Sequence, residues 1–141
     1  MLELDRLLPA DRAQVFEAFT TADRLAQWWG PVGFTIPAID FDPRLGGSYR
    51  IEMQPPEGDR FALVGEFREV EAPHHLALTF VWEQPDPDDV DMLAELTFED
   101  RGDSTLLALR QHPFRTEARR QLHHDGWSET LDKLAAWLTA G

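Results

Sequence analysis

Residues 114–138 repeat apolar side chains at helical spacing over a length that few partner surfaces can cover. From Arg115 onward, Ala118, Leu122, Trp127, Leu131, Leu134, Ala135 and Leu138 recur mostly at intervals of three, four and seven. That spacing draws an apolar stripe down one side of an α-helix, with Arg119, Arg120, Glu129, Asp132 and Lys133 on the other. About 24 residues at 1.5 Å each make a rod of roughly 36 Å, enough to cross a whole sheet diagonally. The stripe must be buried against something broad, and the preceding segments read as alternating strands.

In chain order, Leu2 to Leu8 alternates and reads as a first strand. Pro9 and Asp11 open a short helix carrying Val15, Phe16 and Phe19. Thr20 and Asp23 have the form of a capping box that starts a second short helix, with Leu25, Trp28 and Trp29 near its end. Gly30-Pro31 stops it. From Phe34 the period becomes two. Strands are expected at 34–41, 48–53, 60–70, 76–82, 90–99 and 105–112, separated by Gly- and Pro-rich turns. Clean alternation indicates an antiparallel sheet with one wet face. The fold class is α+β in one domain over residues 1–141, with all strands in one sheet and the helices on one face of it.

Composition narrows the function classes. A net charge of −13 disfavours nucleic acid, which needs clustered Lys and Arg, and anionic membrane surfaces equally. No apolar run approaches the ~20 residues of a membrane span. The first residues lack the basic start and apolar middle of a signal peptide, so a cytoplasmic location is expected. The chain has no cysteine, which removes disulfides, thiolate nucleophiles and thiolate metal ligands.

Several short stretches together resemble a known family. They are Trp28-Trp29-Gly30-Pro31, Leu45-Gly46-Gly47-Ser48-Tyr49-Arg50, Gly65-Glu66-Phe67 and Leu78-Thr79-Phe80-Val81-Trp82. Leu96-Thr97-Phe98-Glu99, Asp103-Ser104-Thr105-Leu106-Leu107 and His124-Asp125-Gly126-Trp127 complete the series. The chain resembles the branch of the START-like (SRPBCC) superfamily named for the activator of the heat-shock-protein-90 ATPase. The resemblance covers essentially the whole chain. It implies a helix-grip fold, in which a curved antiparallel sheet wraps a long C-terminal helix with a cavity between them. It further implies a small hydrophobic ligand there, lipid-like or aromatic. Two alternatives follow from other members: a co-chaperone-like protein-interaction module, and a polyketide-cyclase-like or hydrolase-like enzyme.

Parity selects the inward residues. Tyr49, Ile51, Phe61, Leu63, Phe67, Leu78, Phe80, Trp82, Met92, Leu96 and Phe98 share the apolar face of their strands. With Trp28, Trp29, Phe34, His112, His123 and Trp127 they are the candidate cavity residues, and the same side chains would serve a filled core. Adjacent helix residues diverge by about 100°, so Trp28 and Trp29 can divide the roles of wall and core. Tyr49, Glu69, Arg110 and His112 are the polar groups with inward parity; Tyr49, Arg110 and His112 are the catalytic candidates. His123 and His124 are neighbours and diverge, so no helical metal pair forms, and neither metal nor cofactor is expected. Gly46-Gly47 lacks the features of a phosphate loop and reads as a turn or bulge. Gly126, inside the long helix, points to close approach of the sheet or a ligand. Asp86, Asp88, Asp89 and Asp91 read as a solvated acidic rim, open to a basic protein partner. A homodimer is compatible with the sequence, but no exposed apolar stripe marks its interface.

Overall fold

In the computed structural model, which describes residues 1–140, seven strands form one sheet. They are β1 (Leu2–Leu8), β2 (Thr35–Phe41), β3 (Ser48–Gln54), β4 (Phe61–Glu71), β5 (His75–Trp82), β6 (Met92–Arg101) and β7 (Ser104–His112). The helices are α1 (Arg12–Thr20), α2 (Ala22–Leu25) and α3 (Glu117–Ala140). The sheet order is β1-β7-β6-β5-β4-β3-β2, antiparallel throughout. This is the helix-grip α+β architecture.

α3 lies across the sheet from β1 to β5. Arg6 on β1 reaches Asp132 and Ser128, Gln111 on β7 bonds Trp127, and Trp82 on β5 bonds His123. Its start is fixed by Thr116, whose hydroxyl accepts the Arg119 N–H at 3.1 Å, and Glu117 suits the positive end of the helix dipole. The buried stripe is His123, Trp127, Thr130, Leu131 and Leu134. It departs from the expected one at its N-terminal end. Ala118 and Leu122 are exposed, because Leu122 stands five residues, about 140°, round from Trp127, and His123 takes the inward place.

α1 packs on β6 and β7 through Val15, Phe16 and Phe19, with Asp11 capping it by accepting the Gln14 N–H at 2.9 Å. The expected capping box does not form. Thr20 ends α1, and its hydroxyl turns back to donate to the Phe16 carbonyl at 2.9 Å. α2 is then only four residues long, and Trp28 and Trp29 follow it. A bulge lies between Phe67 and Glu69 in the β4–β5 pairing. It offsets parity, so Glu69 is not inward: it is exposed and meets His75 at 2.7 Å. Gly46 has φ +79°, as a turn glycine should, whereas a Cβ on Gly47 would strike the Asp42 carbonyl at 2.0 Å.

Candidate functional site

Between α3 and the ends of β3–β5 lies a cavity of about 530 Å³, open on one side. Its wall is aromatic: Trp29, Phe34, Phe61, Phe80, Trp82 and Trp127, with Met53 and Pro31 beside them. These rings come from β4, β5, α3 and the chain between α2 and β2, and each is held by the next in edge or tilted contacts, from Phe34–Phe61 at 6.0 Å to Trp29–Trp127 at 5.2 Å between centroids.

Two loops frame the mouth, and α3 pins both. Gly30, at φ +91°, turns the chain out of the Trp28-Trp29 segment. Lys133 then donates to the carbonyls of Trp29, Gly30 and Pro31 at 3.1–3.3 Å, and Glu129 accepts the Val32 N–H at 3.0 Å. Lys133 and Glu129, expected on the solvent side of the helix, are therefore loop anchors. Burial lowers the Lys133 pKa from its ordinary value. On the other side, Arg119 pairs with Asp86 at 2.7 Å and approaches Asp89 at 3.8 Å. The Arg119 pKa is raised, first by its bond to Asp86. The acidic loop is thus fastened over the mouth at Asp86 and Asp89 rather than being a solvated connection.

Two of the three indole N–H groups in the wall are satisfied within the protein, and that of Trp29 is buried without a partner. The Trp127 indole N–H donates to Gln111 Oε1 at 2.8 Å. The Trp82 N–H donates to His123 Nε2 at 2.9 Å, and His123 Nδ1–H donates to the Arg119 carbonyl at 2.9 Å. An indole nitrogen only donates and a carbonyl only accepts, so these partners fix the neutral Nδ1–H tautomer. Burial accordingly lowers the His123 pKa, outweighing the upward pull of the Arg119 carbonyl and Asp89. With both ring nitrogens engaged, His123 has no free site for a metal or a proton relay. Among the described residues no three His, Asp or Glu side chains converge as metal ligands would.

Of the candidates from parity, Trp29, Phe34, Phe61, Phe80, Trp82, His123 and Trp127 come together at the cavity. Trp28, Ile51, Leu63, Phe67, Leu78, Met92 and Leu96 are buried in the core and line no part of it. Tyr49 is buried too, but as a strut. Its hydroxyl donates to the Thr79 carbonyl at 2.5 Å, and its ring lies over Gly65, where a Cβ would sit 2.8 Å from it. Burial raises the Tyr49 pKa, so the phenol stays protonated.

Arg110 and His112 are corrected outright. The buried side chains of β7 are Thr105, Leu107, Leu109 and Gln111, so the alternate residues Arg110 and His112 face away from α3. Arg110 bonds Asp5 at 2.7 Å on that outer face. An inward polar residue of the strand is Gln111, one position off the Arg110 and His112 that parity selected.

Asp86, Asp89, Arg119 and Leu122 line the mouth although their charge or isolation gave no sign of it, and Gly126, the glycine that pointed to the sheet or a ligand, lines it with them. One signal was available for the three on α3. Arg119, Leu122 and Gly126 are spaced three and four apart, which marks a second helix face beside the buried stripe. A Cβ on Gly126 would meet only Pro31 Cγ, at 3.8 Å, so its near neighbour is the mouth loop and not the sheet.

Comparisons with known proteins agree with this fold. The solved structure of protein CV1439 from Chromobacterium violaceum superposes with a TM-score of 0.87 at 26% identity, covering 96% of this chain and 94% of that one. The AHSA1 protein SPO3351 from Silicibacter pomeroyi gives 0.85 at 27% identity, covering 99% and 97%. Protein NE0264 from Nitrosomonas europaea gives 0.82 at 27%, covering 99% and 94%. No curated protein matches the sequence. The model of one family, described as activator of Hsp90 ATPase homolog 1-like protein, matches residues 9–139, and the chain belongs to that family.

Proposed function

We propose that this protein binds a small, mostly apolar molecule in the cavity between α3 and β3–β5 without transforming it. The observation that carries the reading is the aromatic wall itself. Six rings from five separate parts of the chain surround about 530 Å³ of open space that no side chain fills. A space of this size and lining falls in the range of small-molecule sites. Membership of a family whose proteins generally carry a ligand-binding cavity supports it. Against catalysis stand the engaged nitrogens of His123 and the outward placing of Arg110 and His112.

The test is uptake of the neutral apolar dye Nile red, followed by its emission and by quenching of the tryptophans. Saturable one-to-one uptake is expected. It should be abolished in Gly126→Leu, whose side chain would enter the cavity beside Pro31 while improving helix propensity. Absent uptake, or uptake unchanged in a folded Gly126→Leu, would refute the reading.

A further inference from the structure

The chemistry of the cavity narrows its ligand, given the reading above that the cavity binds one. The wall is a continuous ribbon of rings. Phe34 to Phe61 is 6.0 Å, Phe61 to Trp82 5.5 Å, Trp82 to Phe80 5.6 Å, Phe80 to Trp127 6.0 Å and Trp127 to Trp29 5.2 Å. Recognition of an anion requires hydrogen-bond donors, and this ribbon withholds them. The Trp82 and Trp127 N–H groups are committed to His123 and Gln111, and the Trp29 N–H, although it has no partner, is buried beneath the cavity surface. What the ribbon presents is aromatic π density, which attracts cations.

The mouth carries the same preference. Its charged lining comprises four carboxylates, Asp86, Asp89, Asp125 and Glu129, against the single guanidinium of Arg119. Arg119 is already bonded to Asp86 at 2.7 Å. The Asp89 side chain is only 8% exposed. Its Oδ2 accepts the Asp86 N–H at 2.8 Å, but its Oδ1 accepts no hydrogen bond and has Arg119 Nη1 3.8 Å away. A buried carboxylate oxygen without a donor is unfavourable, and a donor that is also a cation would relieve it best.

We infer that the ligand is an amphipathic amine, with its ammonium group beside Asp89 and Asp86 at the mouth and its apolar body along the ring ribbon. Trp82 stands at the junction. Its ring lies 5.8 Å from that of His123, the residue through which it meets the Arg119 turn of α3. An ammonium entering there exchanges water for carboxylate oxygen on one side and π faces on the other. A carboxylate would meet four like charges.

The experiment uses three probes with one hydrocarbon body, phenylbutylamine, phenylbutanol and phenylbutyrate, titrated calorimetrically at neutral pH and low ionic strength. The amine should bind on the order of tenfold tighter than the alcohol, with the carboxylate weakest, and added salt should shrink the gap. In Asp89→Asn the amine should bind no tighter than the alcohol binds to the same variant. Asp86→Asn, at a side chain 66% exposed and safe for folding, should do so in part. An alcohol that binds as well as the amine, or an amine advantage untouched by both variants, would overturn this inference and leave dye binding in the cavity standing. Failure of the three probes and of Nile red together would overturn the binding reading as well.

Discussion

At one end of the space between α3 and the sheet, Phe16, Phe19, Trp28 and Phe98 pack edge to face, with centroids 4.7–5.5 Å apart and no room left. At the other end, Trp29, Phe34, Phe61, Phe80, Trp82 and Trp127 make similar ring contacts around open space. The residue types are alike, so hydrophobicity does not separate a core from a cavity. What separates them is the cover. α1 lays a helix face over β6 and β7 at the first end. Only the mouth loops, tied down by Lys133, Glu129 and Arg119, close the second. Trp28 and Trp29, adjacent in sequence with ring centroids 5.8 Å apart, stand on either side of the boundary.

The largest effect should come from breaking the filled end. Trp28 is fully buried, and Trp28→Ala should cost about 3–5 kcal/mol in denaturant unfolding. Trp29→Ala should cost clearly less, because one side of that ring already meets open space. Equal losses at the two positions would erase the distinction between the ends. Next comes Gln111, itself fully buried, which accepts the Trp127 N–H from beneath. Gln111→Leu leaves that donor without a partner and should cost about 1–3 kcal/mol. A loss under about 0.5 kcal/mol would mean that water replaces the amide, extending the cavity past Trp127 to position 111.

The frame of this comparison is legible in the sequence because period and length are local properties. The seven strands and the long helix follow from them, whereas α2 ends at Leu25, short of the Gly30-Pro31 stop expected for it. The site is less legible, and the failures have physical causes. Arg110, His112 and Glu69 were assigned by parity, and parity fails with a one-residue error of face or at a bulge, such as the one between Phe67 and Glu69. Asp86, Asp89 and Arg119 became mouth residues through a contact across 33 positions, which no local pattern encodes. The division of rings between filled and open ends depends on where α1 lands, again a tertiary fact.

His123 tests the polar seam of the open end. Its neutral form is held between the Trp82 N–H and the Arg119 carbonyl, with Phe80 and Phe114 against its ring. A second ring proton would confront the Trp82 donor. The folded pKa therefore lies below the ordinary 6.5, mainly through burial, while the unfolded chain takes up its proton near 6.5. Between those two values the unfolded state binds more protons. The His123 contribution is thus complete above pH 6.5 and declines as pH falls through the window, by at most about 1.4 kcal/mol per pH unit. Unfolding free energies measured from neutral to mildly acidic pH should fall more steeply for the wild type than for His123→Gln. Parallel slopes would show that the imidazole is not buried as described.

The smallest effect, and one of opposite sign, belongs to Gly126. A glycine inside α3 costs up to about 1 kcal/mol relative to alanine, so some advantage should hold it there if the packing required it. The packing does not. The only neighbour of a new Cβ is Pro31 Cγ at 3.8 Å, an ordinary contact, and Gly126 is not among the positive-φ glycines. Gly126→Ala should therefore raise stability by about 0.5–1 kcal/mol and leave dye uptake nearly intact, where Gly126→Leu removes it. Denaturant unfolding of the alanine variant measures the first and dye titration the second. Destabilisation would mean that Pro31 cannot yield, placing this turn of α3 with the filled end. Stabilisation with binding preserved would mean that glycine supplies only room at the mouth, and that the open end is limited by side-chain volume rather than by how closely the backbones approach.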